Sequence, residues 1–182
     1  KEGSTYEEMR YSLYAGGKRV RPVLTLACCD AFKGNLEAAL CYGSSIEMIH
    51  TYSLIHDDLP CMDNDELRRG KPTNHIVFGE NMAVLSGDAL LNFACENIAN
   101  SKIGTPEMNI NALRIIFSAS GADGMIGGQV LDLAAEDKII SAEELMVLHQ
   151  KKTGALIKAS AALGAISAGR EENLFSDYAS SL

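Results

Sequence analysis

The stretch HDDLPCMDNDELRR, residues His56–Arg69, contains five acidic residues in ten consecutive positions and then ends on two arginines. Its first two aspartates, Asp57 and Asp58, follow a long apolar segment that is typical of a buried helix, so they fall at the carboxyl end of that helix. The helix dipole disfavours negative charge at this end, which destabilises the fold unless a cation is present. Pro60 ends the helix, and the following turn can bring Asp63 back towards Asp57.

Carboxylates separated by an irregular turn predict a site for a hard cation. Mg²⁺ in particular binds one or two carboxylates together with water and the phosphate oxygens of a substrate. The alternative is a solvated acidic helix end that binds nothing. A calcium-binding EF-hand loop is excluded, because a loop counted from Asp63 would need Asp or Asn where Leu67 stands and Gly where Arg68 stands.

Helix signals dominate the rest of the chain, and alternating strand-like runs bounded by turn dipeptides are absent from the sequence. Pro22, Pro106 and the capping box Ser141–Glu144 mark three helix starts. The predicted helices span residues 22–32, 37–56, 80–100, 106–120 and 141–168. The predicted fold class is therefore all-α, with helices rich in Ala, Leu and Ile that pack on several faces.

A basic group of residues lies in the motif GGKRVRP, Gly16–Pro22. Lys18 and Arg21 stand there in a glycine-started loop that leads into a helix amino terminus, where backbone N–H groups and the helix dipole favour an anion. The motif does not match the P-loop pattern GxxxxGK[ST], and a basic loop in water is the alternative. Arg68 and Arg69 form a second basic pair, directly after the acids.

A third polar group, Lys152-Thr153-Gly154, lies inside a predicted helix. Glycine in a helix interior costs about 1 kcal/mol relative to alanine. A tolerated glycine beside Lys and Thr indicates the close approach of something bulky or anionic, although helix–helix packing explains it equally well.

The composition is ordinary for one globular domain, which we expect to cover residues 1–182. The formal net charge of -8 argues against a nucleic-acid binder, and no apolar run reaches the roughly 18 residues that insert across a bilayer. The five cysteines include no CxxC pair and no histidine at zinc spacing, so we expect buried free thiols in a cytoplasmic protein. Lys1 is not a start methionine, and we expect an N-terminal piece to be missing.

Acidic metal ligands and several separate cations in one chain predict two polyanionic ligands, one held through metal and one held directly by Lys and Arg. Diphosphates fit this description. Mg²⁺ and guanidinium groups make diphosphate a better leaving group, because they neutralise the charge that develops as its C–O bond breaks. The apolar helices would enclose a hydrocarbon tail rather than a sugar or a base, so the residues predict chemistry on an isoprenoid diphosphate.

Five motifs follow one another along the chain, namely GGKRVRP, HTYSLIHDDLPCMDNDELRRGKPTNH, GDALL, GGQVLDL and KTGALI. Together they closely resemble short-chain trans-prenyl diphosphate synthases of the bacterial farnesyl diphosphate synthase type, which is close to geranylgeranyl diphosphate synthases. The resemblance covers essentially the whole chain. It implies an isoprenoid-synthase-type bundle of α-helices around a deep central cavity, usually in a homodimer.

The resemblance also implies roles for individual residues. Asp57 and Asp63 would bind the Mg²⁺ ions that hold the allylic diphosphate, with Asp58 in support. The predicted contacts of the allylic diphosphate are Arg68, Lys152, Thr153 and Gln129. The predicted contacts of isopentenyl diphosphate are Gly17, Lys18, Arg21, His50 and Arg69. The predicted catalytic residues are Asp57, Asp63, Arg68 and Lys152.

Two histidines and one cysteine near the acidic motif receive weaker predictions. His50 is assigned from the resemblance alone, because a lone histidine seven residues before the first aspartate is more often a packed core residue. We interpret His56 as a structural neighbour of Asp57, and Cys61 as a residue that packs in the loop.

The implied reaction condenses isopentenyl diphosphate with an allylic diphosphate, either dimethylallyl or geranyl. The allylic diphosphate loses diphosphate, the double bond of isopentenyl diphosphate attacks the resulting cation, and the released diphosphate accepts the proton that is lost. No side chain is needed as a nucleophile. Water has to be excluded, since it would quench the cation.

The length of the product depends on residues that precede the acidic motif. Tyr52 and Ser53 stand five and four residues before Asp57, about one to one and a half helical turns away. The resemblance implies that bulk at this level limits chain growth, so Tyr52 favours farnesyl diphosphate. The alternatives are that Tyr52 is only a core residue, or that the product is geranylgeranyl diphosphate.

The sequence departs from the family pattern at one point, since a second aspartate-rich motif, DDxxD, does not occur in it. The sequence ends at DYASSL, Asp177–Leu182, where the helix leading to that motif would begin. We therefore expect a fragment, truncated at both ends, that alone is inactive or nearly so. The alternative of a non-catalytic prenyl synthase-like subunit is less consistent with an intact first motif. A terpene cyclase would not need GGKRVRP, and a ligand-free helical domain would not need the arginine pair.

Overall fold

The computed structural model describes residues 5–170, which form nine α-helices, one π-helical turn and one two-stranded hairpin. The α-helices are α1 (Tyr6–Leu13), α2 (Val20–Ala31), α3 (Leu36–Asp57), α4 (Asn74–Phe78), α5 (Glu80–Ala99), α6 (Pro106–Ser120), α7 (Met125–Ala135), α8 (Ala142–His149) and α9 (Ala155–Ser167). The π-helical turn spans Gln150–Gly154, and the antiparallel hairpin pairs β1 (Leu67–Arg68) with β2 (Lys71–Pro72). The all-α prediction is confirmed.

The predicted helices are all present, with two differences in detail. Helix α2 begins two residues earlier than expected, because Arg19 adopts a left-handed conformation (φ 51°) just before it and Pro22 is tolerated in the first turn. The helix predicted over residues 141–168 consists of α8, the π-helical turn and α9 in direct succession. The sequence pattern does not predict α1, α4, α7 or the hairpin, since these elements are short or lack a clear start signal.

Side-chain caps fix several helix starts. Ser141 and Glu144 form the predicted capping box, in which the Ser141 N–H donates to Glu144 Oε2 at 2.7 Å and the Glu144 N–H donates to Ser141 Oγ at 3.2 Å. Thr105 caps α6 directly before Pro106, and Asn35 caps α3 by accepting two backbone N–H groups. These local signals explain why the helix positions could be predicted well.

Helix α3 lies at the centre of the bundle, with α2, α5 and α9 packed around it. Its side chains are buried along its length, and Tyr42 and Ile46 are among the largest that are fully buried. Helices α2 and α9 approach so closely that a Cβ atom on Gly164 would lie 2.4 Å from the Thr25 carbonyl oxygen. Because this central helix ends at Asp57, the acidic motif is attached to the centre of the bundle.

The turn after α3 reverses the chain as predicted. The Asp63 N–H donates to the Asp57 carbonyl oxygen at 2.8 Å, so the backbone of the third aspartate returns to that of the first. Pro60 stands in this turn, where it ends the helix.

The five cysteines are free thiols. Cys29 is buried, whereas Cys61 is exposed. The prediction of buried thiols is therefore confirmed for Cys29 and holds only in part for the half-buried Cys28, Cys41 and Cys95. It is wrong for Cys61, as is the prediction of loop packing, because the place of this residue in the turn after α3 directs it to solvent.

None of the helices within residues 5–170 is both long enough and apolar enough to cross a membrane. The terminal stretch Asp177–Leu182, where the sequence predicts the start of a further helix, lies outside the described residues.

Candidate active site

A cavity of about 590 Å³ lies between the loop that precedes α2, the middle of α3 and the hairpin; we call it the basic cavity. The polar and glycine residues that line it are Gly16, Gly17, Lys18, Arg19, Arg21, Glu47, His50 and Arg69. The structure thus brings together all five residues predicted to hold isopentenyl diphosphate. Within the described residues, Glu47 is the one carboxylate of this lining, and it is paired with Arg19 at 2.5 Å.

Of the two glycines in the loop, Gly17 makes room for an arginine from the hairpin and Gly16 accepts a hydrogen bond from it. Gly17 has a φ of +120°, and a Cβ atom there would lie 2.4 Å from Arg69 Nη1. The same guanidinium donates a hydrogen bond to the Gly16 carbonyl oxygen. Since any side chain at Gly17 would be strained and would displace the guanidinium, glycine at this position leaves space for Arg69 in the basic cavity.

The electrostatics of the basic cavity favour an anion. Burial, followed by the positive charges of four arginines led by Arg21 and Arg69, lowers the pKa of His50 to about 3. His50 is therefore a neutral imidazole at neutral pH, with one donor and one acceptor nitrogen. Burial also lowers the pKa of Arg21, and its Nε is buried with no hydrogen-bond partner among the described residues.

A second cavity, of about 450 Å³, adjoins the first and shares Arg21 and His50 with it; we call it the mixed cavity. Its other polar residues are Tyr52, Ser53, His56, Asp57, Gln129, Lys152 and Thr153. Its apolar residues are Leu54, Met62, Met125, Ile126, Val130 and Leu133. Helices α3 and α7 and the π-helical turn therefore place charged groups and an apolar wall around one space.

Asp57 is the acidic group of the mixed cavity. Burial raises its pKa to about 6, with Asp63 and Asp58 adding to the rise and Lys152 and Arg68 opposing it. The Lys152 ammonium forms a 2.5 Å salt bridge with Asp132. A carboxylate that is this costly to ionise is stabilised by a cation placed beside it.

Lys152 is held through its backbone as well as through its charge. A Cβ atom on Gly128 would lie 2.2 Å from the Lys152 backbone nitrogen, so α7 packs directly on the π-helical turn. A Cβ atom on Gly154 would meet its nearest neighbour, the His149 carbonyl oxygen, at 3.6 Å, which is ordinary contact. The close approach that the sequence indicates at Gly154 is found instead at Gly128.

Gln129 lies on α7 one residue after Gly128. Its side-chain Nε2 is buried and has no hydrogen-bond partner among the described residues, although it lines the mixed cavity. Such an orphaned donor facing a cavity is suited to a ligand oxygen. Asp132 was not predicted, although its spacing of three residues from Gln129 puts both on one helical face and could have identified it.

Asp58 and Arg68 are paired with each other. Arg68 Nε donates to Asp58 Oδ1 at 2.7 Å and to Oδ2 at 2.9 Å, and the Asp58 carboxylate is buried. Arg68 also reaches Asp65 at 3.4 Å, and it lines neither the basic nor the mixed cavity. This pair attaches the hairpin to the end of α3, where the buried carboxylate needs a partner.

Two of the three predicted metal ligands are placed where they could hold one metal ion together. Residues 5–170 contain no group of three or more His, Cys, Asp or Glu arranged to hold a metal ion. Asp57 and Asp63 remain, joined by the backbone hydrogen bond of the turn and close enough to raise the pKa of Asp57. Two carboxylates suit Mg²⁺, which takes its other ligands from water and phosphate, so these two residues would hold it.

The hairpin that carries Arg68 and Arg69 is fastened on both sides. Thr73 Oγ1 donates to the Asp65 carbonyl oxygen at 2.7 Å, and the Tyr11 hydroxyl donates to the Pro72 carbonyl oxygen at 2.8 Å. Asn74 Nδ2 donates to the backbone of Glu8 and to the Ser12 hydroxyl, both at 2.9 Å. Helix α1, which the sequence pattern does not predict, therefore helps to position Arg69 in the basic cavity.

Comparisons with known proteins agree with this geometry. Residues 3–182 match the family model described as Polyprenyl synthetase. The chain is 53% identical over 166 residues to the chloroplastic geranylgeranyl pyrophosphate synthase of Capsicum annuum, with 90% of this chain and 45% of the relative covered. It is 51% identical over 174 residues to the chloroplastic heterodimeric geranylgeranyl pyrophosphate synthase large subunit 1 of Arabidopsis thaliana, with 92% and 47% covered.

A solved structure gives the same result for the fold. The apo structure of an FPP/GFPP synthase from Zymomonas mobilis matches with a TM-score of 0.91 and 46% identity, over 96% of this chain and 64% of that chain. The predicted isoprenoid-synthase-type fold is thereby confirmed. The chain spans about half the length of the two curated relatives it matches. The chain belongs to the polyprenyl synthetase family.

Proposed function

We propose that the full-length protein is a trans-prenyltransferase that condenses isopentenyl diphosphate with an allylic diphosphate. The observation that carries this proposal is the pair of adjoining cavities that share Arg21 and His50. One is lined by cations, and the other combines a carboxylate and an ammonium group with an apolar wall. Two diphosphates bound side by side, with a hydrocarbon tail on one of them, fit this arrangement.

Isopentenyl diphosphate is assigned to the basic cavity. Lys18, Arg21 and Arg69 supply positive charge there, and Arg21 has a buried donor that a phosphate oxygen would satisfy. His50 is neutral, so it offers one hydrogen bond without adding repulsion among the arginines. This diphosphate needs no metal, because the cations contact it directly.

The allylic diphosphate is assigned to the mixed cavity. Asp57 and Asp63 would hold Mg²⁺, which when bound neutralises negative charge on the departing diphosphate. Lys152 and Thr153 line the same cavity, and Gln129 offers the orphaned N–H group. We propose that Asp58 and Arg68 act indirectly, by fixing the end of α3 and the hairpin.

The side chains of the two cavities bind, orient and shield the reactants. Arg21 and His50 lie in both linings, so they set the distance between the double bond of one substrate and the allylic carbon of the other. The bond that forms joins these two carbons, and the C–O bond to diphosphate breaks. The released diphosphate accepts the proton. The apolar residues of α7 exclude water from the allylic cation.

For the product, the names of the relatives favour geranylgeranyl diphosphate over the farnesyl diphosphate that the sequence predicts as first choice. We take the twenty-carbon product as the proposal. Farnesyl diphosphate is the second candidate, because Tyr52 lines the mixed cavity and is only 6% exposed, as a residue that limits the tail would be.

Partners and location remain proposals. We propose a homodimer in the cytoplasm, as the sequence predicts. The Arabidopsis relative, by its name, is the large subunit of a heterodimer, so a different second subunit is the alternative that size measurements on the purified protein would reveal.

The test is turnover of isopentenyl diphosphate with dimethylallyl diphosphate and Mg²⁺ in the full-length protein. We expect Asp57→Ala to lower turnover by about 100-fold or more, because charge stabilisation at the leaving group is lost. Asp30→Ala, which removes an exposed carboxylate on α2, is the matched control and should keep wild-type turnover. Wild-type turnover in Asp57→Ala, with the fold retained by circular dichroism, would contradict the proposal.

A further inference from the structure

We propose that His56 and Gly87 determine product length, by fixing the position of the Tyr52 ring on α3. This inference rests on the proposed function. It concerns His56, which contacts both Tyr52 and Gly87, and it assigns His56 a specific task in place of the general structural role that the sequence indicates.

His56 fills the space between the two helices. Its Nε2 lies 3.2 Å from the Val84 carbonyl oxygen of α5. A Cβ atom on Gly87, one turn further along α5, would lie 2.1 Å from the same nitrogen and 2.6 Å from Cδ2. The imidazole therefore contacts the α5 backbone at Gly87, where any residue larger than glycine would collide with it.

The opposite side of His56 faces Tyr52. The two rings stand one helical turn apart on α3, with centroids 5.7 Å apart and planes at 73°. Tyr52 is buried, and both rings line the mixed cavity. The Tyr52 ring thus contacts both the mixed cavity and the imidazole, and the imidazole contacts the α5 backbone.

This stacking makes Tyr52 a rigid limit to the space for the tail. The imidazole packs between the Tyr52 ring and the α5 backbone at Gly87, so it limits the positions that the ring can adopt beside a growing tail. Removing the imidazole leaves a gap into which the Tyr52 ring can turn, which lengthens the space. Adding a methyl group at Gly87 pushes the imidazole towards Tyr52, which shortens it.

The experiment compares product length among variants of the full-length protein, incubated with isopentenyl diphosphate, dimethylallyl diphosphate and Mg²⁺ and analysed by mass spectrometry. The single variants are His56→Ala, Tyr52→Ala and Gly87→Ala. Two double variants combine His56→Ala with each of the other changes. Gly154→Ala is the matched control, because its Cβ atom would meet nothing closer than 3.6 Å.

We expect His56→Ala to lengthen the main product by one or more five-carbon units and Gly87→Ala to shorten it. In the Tyr52→Ala background, His56→Ala should produce no further lengthening, since it acts through the tyrosine. Combining His56→Ala with Gly87→Ala should remove the shortening, because the methyl group then occupies the vacated space. The Gly154→Ala control should keep the wild-type product.

Two results would overturn the inference alone. One is an active His56→Ala variant with unchanged product length, and the other is lengthening by His56→Ala that adds fully to that of Tyr52→Ala. If Gly87→Ala does not fold, the product lengths of His56→Ala, Tyr52→Ala and their double variant still test the inference. No elongated product from the wild-type protein would instead overturn the proposed function, and this inference with it.

Discussion

Replacing Gly128 by alanine should displace the turn that carries Lys152. The added methyl group would lie 2.2 Å from the Lys152 backbone nitrogen and 2.5 Å from its Cα atom. Both neighbours are backbone atoms of the π-helical turn, so they cannot rotate away as a side chain would. Either α7 or the turn has to move by about 1 Å, because carbon atoms pack at about 3.5–4.0 Å.

The expected magnitude follows from a comparison with Gly154→Ala. Both glycines lie within helical segments, so both variants gain the same helix preference of about 1 kcal/mol, which cancels between them. What remains is the cost of overpacking at Gly128, about 1–3 kcal/mol. We therefore expect the free energy of unfolding of Gly128→Ala to be lower than that of Gly154→Ala by this amount.

Urea unfolding of the two variants, followed by circular dichroism, measures the difference, which corresponds to a midpoint shift of about 1 M. Turnover should fall about 100-fold in Gly128→Ala alone, since a displacement of about 1 Å in a positioning residue has an effect of this size. Equal unfolding midpoints for the two variants would refute the reasoning, because the methyl group would then have found room without moving the turn.

Two further predictions follow from the acidic motif. Burial raises the pKa of Asp57 to about 6, so the stability that this group contributes is complete below about pH 4 and is lost as the pH rises through 6. Without metal, Asp57→Asn should therefore be more stable than the wild type at about pH 8, by roughly 1–2 kcal/mol after allowance for solvent screening, but not at about pH 4. A difference in urea midpoint that does not depend on pH would contradict this. Arg68→Ala should lower the free energy of unfolding by about 3 kcal/mol, since it leaves the buried Asp58 carboxylate without its partner. An unchanged melting temperature would show that the pair contributes nothing.

Much of the site could be predicted from sequence because its signals are local. The end of α3 at Asp57, the turn at Pro60 and the loop at Gly17 each depend on residues that are neighbours in sequence. The basic cavity then follows from bringing the hairpin back to this loop. For this reason the residues predicted for isopentenyl diphosphate lie together.

The parts that could not be predicted depend on packing between distant segments. The Asp58–Arg68 pair requires the register of a hairpin whose strands have two residues each, too short to show an alternating pattern. The contact between Gly128 and Lys152 joins α7 to a π-helical turn, for which the sequence has no side-chain signature. The sequence pattern therefore predicts a close approach near Lys152, but at Gly154, whereas the structure has it at Gly128.

The central claim is that the basic cavity binds one diphosphate directly while the other requires metal. Calorimetric titration of isopentenyl diphosphate into the full-length protein, with EDTA present, tests it most directly. The cations Lys18, Arg21 and Arg69 predict saturable binding of one molecule per chain without Mg²⁺. Binding that appears only after Mg²⁺ is added would contradict the account, because the basic cavity would then not be a diphosphate site in its own right.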